Sequence, residues 1–207
     1  MSSRPGHSHA AMRRYMQMSQ EHVYIFVEGR DLNPHVYGQI CAPLCKAAGK
    51  PHEVVIADRI AGGGGGKTVL KQLFGFLRDN KSLLDRSTKV AKLAMFYLDK
   101  DVDDLFGALI ASDHVVYTPY YNIENHLFHE GDLVSSIAIG GSIDADLIQK
   151  RIPNPSDWRA TAANCWFDWI TVCILARKLS LKHPALFLKL SLRRTACGLM
   201  AEKLERL

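Results

Sequence analysis

Residues 92–104 read KLAMFYLDKDVDD, an apolar run that ends abruptly in four carboxylates. Leu93 to Leu98 has the length and the Met, Phe and Tyr content of a strand buried on both faces, as in a parallel sheet covered by helices. If the backbone stays extended past Leu98, Asp99 and Asp101 leave on the same side, because side chains alternate along a strand. Two carboxylates so placed grip one cation together, with Asp103 and Asp104 just beyond. Crowded carboxylates repel and their pKa values rise unless a divalent ion neutralises them, and hard oxygen ligands suit Mg²⁺ or Mn²⁺. The stretch is therefore a candidate metal site. The competing reading is a solvated loop, or the acidic first turn of a helix beginning near Val102, where the helix dipole favours Asp.

Upstream, His22 to Val27 (HVYIFV) is another β-rich run, and it too closes on an acid, Glu28, followed by Gly29, Arg30 and Asp31. Asn33 or Asp31 caps a helix entered through Pro34, with an apolar stripe at Val36, Ile40, Leu44 and Ala47 or Ala48 before Gly49 stops it. Glu53 to Ala57 is the next strand. Between it and a helix carrying Val69, Leu70, Leu73, Phe74 and Leu77 lies AGGGGGKT, residues 61–68, which fits the relaxed P-loop pattern. That reading would put Lys67 and Thr68 on a nucleotide's phosphates and make Asp99 the acid of the neighbouring hydrophobic strand. Against it, a glycine run satisfies many glycine patterns by composition, and a P-loop normally follows the first strand of its domain. The plainer reading is a flexible, phosphate-tolerant turn from strand to helix. A polar link (Asp79 to Lys89) then leads into residues 92–104, followed by a helix near Asp103 to Ala111 and a strand from His114 to Tyr117. Alternating strands and helices imply parallel β-α-β units with ligands at the carboxyl ends of the strands, where Glu28 and Asp99 both sit.

The flanks carry weaker signals. Residues 1–20 are small, polar and basic and predict a mobile tail, helical near Met12 to Met18. Past Thr118, Glu124 stands among Tyr120, Tyr121, Asn122, Asn125 and His126, as a third site acid or simply a helix-start residue. Helices are expected from about Asp157 to Lys178 and from about Pro184 to Leu207, with Trp158, Trp166, Phe167, Trp169, Ile170 and Leu175 in a core. Net charge is +5, yet residues 150–207 hold eleven Lys or Arg against four Asp or Glu, leaving the remainder slightly acidic. A basic third beside an acidic site suits a phosphate-backbone ligand, with Lys189, Arg193 and Arg194 as its contacts; it also describes many solvated helices. Cys41, Cys45, Cys165, Cys173 and Cys197 read as reduced core thiols, and no zinc spacing is present. With no run of 18 apolar residues and no signal-peptide pattern, a cytoplasmic protein without a membrane span is expected.

VYIFVEGRDLNPHVY, the glycine turn and AMFYLDKDVDD together resemble the topoisomerase-primase (TOPRIM) fold, in which a glutamate follows the first strand and Asp-x-Asp the third. The matching positions are Glu28, Asp99 and Asp101, with Asp103 as a further ligand. With YYNIENHLF added, the chain is similar to a bacterial subgroup found beside ABC-type ATPases. That subgroup includes the nuclease effector of the PARIS anti-phage system and is related to the nuclease half of the OLD family. The resemblance covers residues 22 to about 128. It implies an α/β domain over residues 21–128, with a parallel sheet of about four strands, ahead of a helical region at 129–207. It also implies an Mg²⁺- or Mn²⁺-dependent nuclease acting on DNA or RNA, tRNA included. Glu28, Asp99 and Asp101 would be catalytic, and Arg30, Lys67 and Lys100 would be nearby cations. An ABC-type ATPase is the implied partner, a second copy of the chain a further candidate, and phage defence the setting. The competing classes are a P-loop nucleotide hydrolase and a non-catalytic interaction module.

Overall fold

A computed structural model describes residues 6–30, 32–63, 65–151 and 155–179. The chain divides into two compact units, Met1–His129 and Glu130–Leu207. The first is α/β, with a mostly parallel, open sheet flanked by helices. Its strands are β1 (Val23–Val27), β2 (His52–Ile56), β3 (Leu84–Asp85), β4 (Lys92–Leu98) and β5 (Val115–Tyr117). The sheet runs β2-β1-β4-β3, with β5 also on β4. β1 pairs in parallel with both β2 and β4, and β4 with β5, whereas β3 is antiparallel to β4. The two-residue β3 falls within the stretch expected to be a polar link. It takes up the amino half of the β4 edge and β5 takes the carboxyl half.

β1 is buried on both faces, as its unbroken apolar text requires. Tyr24 and Phe26 face one layer and Ile25 and Val27 the other. On the first face lies helix α3 (Gly66–Asp79), burying Val69, Leu70, Leu73, Phe74 and Leu77 against Phe26, Phe96 and Leu98. Helix α1 (His9–Met18) shares that face, and its Met12 and Met16 are fully buried. Residues 9–18 are therefore part of the folded unit rather than a mobile tail. Two methionines a helical turn apart suffice to seat so short a segment, and Tyr15 anchors it through a 2.8 Å hydrogen bond to Glu53.

Helix α2 (Leu32–Ala47) covers the opposite face, but with a stripe one residue round from the expected one. Tyr37, Cys41 and Cys45 are buried, while Ile40 and Leu44 are 51% and 68% exposed. Both stripes repeat every four residues. The choice falls to Tyr37, whose ring packs on Tyr97 at 4.6 Å, and to Cys41, whose thiol lies 3.2 Å from the Tyr97 hydroxyl. The helix expected over Asp103 to Ala111 is only a 3₁₀ turn, Asp103–Phe106, ended by Gly107 at φ 62°. Helix α4 (Ile123–Glu130) follows β5.

In the second unit, α5 (Leu133–Gly141), α6 (Ala145–Arg151) and α7 (Pro155–Lys178) are helical. α7 does not bury the aromatic residues expected in a core. Trp166, Phe167, Ile170 and Leu175 are exposed, Phe167 by 66%, Trp169 is half-buried, and the Trp158 side chain lies outside the described ones. Their positions are spread around the helix rather than gathered in a stripe. Cys173 is likewise exposed, unlike the buried thiols of Cys41 and Cys45. No helix among the described residues is long and apolar enough to cross a membrane.

Candidate functional site

β1 and β4 are neighbours in parallel register, Val27 opposite Tyr97, so the residues that follow them emerge side by side. Those residues are Glu28 and Asp99, and neighbouring strands are about 4.8 Å apart. The two are joined directly: the Asp99 backbone N–H donates to Glu28 Oε1 at 2.8 Å. The Ile123 backbone N–H at the start of α4 favours the charged form of Asp99. Asp99 Oδ1 is buried with no hydrogen-bond partner among the described residues.

Both carboxyls are short of positive charge. Burial, reinforced by the charge of Asp99, pushes Glu28 up to about 7 against the pull of the Asp99 N–H and of Lys67. Burial and then the charges of Glu124 and Asp101 push Asp99 up to about 6. Tyr37, buried under the pair on α2, is pushed far above its ordinary value by burial and then by the charges of Asp99 and Glu28. It was not singled out in the sequence; its place on the docking face of α2 is what brings it there.

Asp101 and Asp103 behave differently. The backbone does not stay extended past Leu98: Asp101 has φ 51° and its N–H donates to the Tyr121 carbonyl at 2.6 Å. Asp tolerates that left-handed conformation better than most residues, and the turn takes Asp101 out of strand alternation with Asp99. It meets Lys67 instead. Lys67 Nζ lies 2.8 Å from Asp101 Oδ2 and 2.9 Å from Asp103 Oδ2. Lys71 Nζ adds a second contact to Asp103 at 2.8 Å. Asp103 is only 4% exposed, and a carboxylate so buried needs such partners. Lys71 was not expected at the site, although its spacing of four residues from Lys67 on one helix face was the available signal.

The glycine turn explains how Lys67 arrives there. Gly66 opens α3 against the first acid, where a Cβ would stand 2.8 Å from the Glu28 carbonyl oxygen. Only glycine permits that approach, and the next residue is Lys67.

The remaining expected residues are dispersed. Arg30 pairs with Asp58 rather than with the acids. Lys100 donates from Nζ to the Pro119 carbonyl at 2.7 Å and faces Asp104, and its backbone N–H is held by Thr118. Glu124, exposed in the first turn of α4, reaches the site through its charge on Asp99. Asp31, Lys189, Arg193 and Arg194 lie outside the described residues.

Fold and site together define the class: an α/β protein with an open, mostly parallel sheet and an acid pair at the carboxyl ends of two adjacent strands. No family model, no curated protein and no solved structure matches the chain.

Proposed function

We propose that this chain is a TOPRIM-like, divalent-metal-dependent nuclease that cleaves phosphodiester bonds in DNA or RNA. The observation that carries the reading is the Glu28–Asp99 pair, joined through the Asp99 backbone N–H, with one buried oxygen, Asp99 Oδ1, that has no hydrogen-bond partner among the described residues. A buried, unpartnered carboxylate oxygen is costly, and a cation placed against it removes the cost. Among the described residues no set of three or more His, Cys, Asp and Glu side chains is arranged to hold a metal ion. Two carboxylates nonetheless suit Mg²⁺, which keeps several waters and takes oxygens from a phosphate substrate. Glu28 and Asp99 would hold the ion, with Glu124 next in reach.

An ion held by Glu28 and Asp99 would supply Lewis-acid chemistry, polarising a phosphate oxygen and lowering the pKa of a bound water. The chain's own part is positional. The Asp99 N–H fixes Glu28 Oε1, so that Glu28 would be held in place as ligand or as general base. Lys67, held over the adjacent acids, keeps a positive charge beside the site where phosphate would lie. Its engagement with Asp101 and Asp103 favours this reading over a nucleotide-binding loop, in which the same ammonium must face β- and γ-phosphates. From the resemblance over residues 22 to about 128 come the further elements of the proposal, an ABC-type ATPase partner and a role in phage defence.

The test is incubation of the chain with mixed DNA and RNA in Mg²⁺, Mn²⁺ or EDTA, with and without a candidate ATPase. Metal-dependent cleavage lost in Glu28→Gln and Asp99→Asn is the expected result. Cleavage that persists at the wild-type rate in either variant sinks the assignment, and so does tight Mg-ATP binding that vanishes in Lys67→Ala.

A further inference from the structure

Four acids that crowd one loop and one strand end invite a pair of ions, since two-metal sites hold their ions about 3.5 to 4 Å apart between shared carboxylates. Here the four are split by their partners. Asp101 and Asp103 carry two negative charges and are met by two ammonium groups, Lys67 and Lys71, at 2.8 to 2.9 Å. Lys67 also reaches the Lys100 carbonyl at 3.5 Å, so its ammonium sits inside the loop with oxygens on several sides. Among the described residues no such cation is bonded to Glu28 or Asp99. Glu28 accepts from the Asp99 backbone N–H, and Asp99 Oδ1 is buried with no hydrogen-bond partner among the described residues.

We propose that Lys67 is a built-in counter-ion, its ammonium filling the Asp101–Asp103 half of the acidic cluster, so that the site takes one divalent ion, at Glu28 and Asp99, rather than two. The inference rests on the reading of Glu28 and Asp99 as a divalent-ion centre and specifies how many ions that centre holds and why. Three features fix Lys67 in place. Gly66 presses the start of α3 onto the Glu28 carbonyl, with room for no side chain. The left-handed Asp101 turns its carboxylate toward α3, away from strand alternation with Asp99. Burial of Asp103 makes the pairing hard to give up, because a buried carboxylate stripped of one partner pays for its lost neutralisation. A second ion would have to expel the Lys67 ammonium from both carboxylates. The lysine delivers the same sign of charge without being exchangeable.

Ion counting by Mn²⁺ titration of the full chain, with free Mn²⁺ read by electron paramagnetic resonance, tests this without any activity measurement. Wild type is expected to bind one Mn²⁺. Asp99→Asn should weaken that ion at least tenfold, whereas Asp101→Asn should change its affinity by less than about twofold. Lys67→Met should admit a second, weaker ion, and Lys67→Met with Asp101→Asn should return the count to one. Lys67→Arg retains the charge and should stay at one. Since Lys67→Met takes one ammonium from the buried Asp103 and can fail to fold, Asp101→Asn in the intact lysine background decides independently. Two ions in wild type, or a tenfold loss in Asp101→Asn, overturns the counter-ion role while leaving the metal centre standing. A folded Lys67→Met that still binds one ion does the same. No Mn²⁺ bound by wild type overturns the metal centre itself, and the counter-ion role with it.

Discussion

Glu28→Gln should stabilise the metal-free protein, and by an amount that depends on pH. Gln keeps the oxygen that accepts the Asp99 N–H and removes only the charge. In the folded protein Glu28 holds its proton up to about 7, against an ordinary 4.5. At about 1.4 kcal/mol for each tenfold step, ionising it in the fold costs roughly 3 kcal/mol more than in the unfolded chain, as an order of magnitude. The sign follows from the raised pKa. Below about 4.5 both states are protonated and the contribution of Glu28 to stability is intact. As pH climbs through about 7 the unfolded chain has already released its proton and the fold must release one at a cost, so stability falls. Thermal and urea unfolding in EDTA at pH 4.5, 6 and 8 should show wild type and Glu28→Gln nearly equal at the acid end. By pH 8 the variant should lead by about 2 to 3 kcal/mol, or roughly 5 to 10 °C in Tm. Adding Mg²⁺ should close most of the gap by raising wild type alone, since an ion that binds only the fold stabilises it. Equal stabilities at pH 8, or a variant less stable at every pH, would refute the picture of an acid held in a charge-starved position.

Four further outcomes are expected. In Asp99→Asn, metal-dependent cleavage of nucleic acid should fall at least a hundredfold while far-UV circular dichroism is unchanged, because the acid is used by the ion and not by the core. Gly66→Ala should destabilise by about 1 to 3 kcal/mol in chemical denaturation, since its Cβ would lie 2.8 Å from backbone that cannot swing aside. Met16→Ala should cost about 2 to 5 kcal/mol and expose residues 9–18 to protease first, whereas the same change in a mobile tail would cost nothing. Neutralising Lys189, Arg193 and Arg194 together should lower the slope of log affinity for nucleic acid against log salt by about 2 to 3; an unaltered slope removes them from the substrate surface.

The elements whose burial is written in local text were legible in the sequence. β1 is an apolar run buried on both faces as expected, whereas β4 buries Ala94, Phe96 and Leu98 and leaves Leu93, Met95 and Tyr97 half-buried on its other face; α3 carries its stripe at Val69, Leu70, Leu73, Phe74 and Leu77, and Glu28 and Asp99 stand at the ends of their strands. Strand burial and helix stripes depend on periods of two and 3.6 residues, so a few neighbours decide them. Tertiary structure alone decided the rest, because it turns on groups far apart in the chain. Which face of α2 docks depends on Tyr97, sixty residues beyond Tyr37. Whether residues 9–18 fold depends on the apolar residues of α3 and β1 that Met12 and Met16 join, and the exposure of Trp166 and Phe167 on α7 is likewise not written in that helix's own text. The acidic stretch shows the division most sharply. Its carboxylates look alike in sequence, but a left-handed turn at Asp101 hands two of them to lysines of α3 and leaves Asp99 with Glu28. Charge pairing is a matter of a few ångströms between chain segments more than thirty residues apart, and only the packed fold sets that distance.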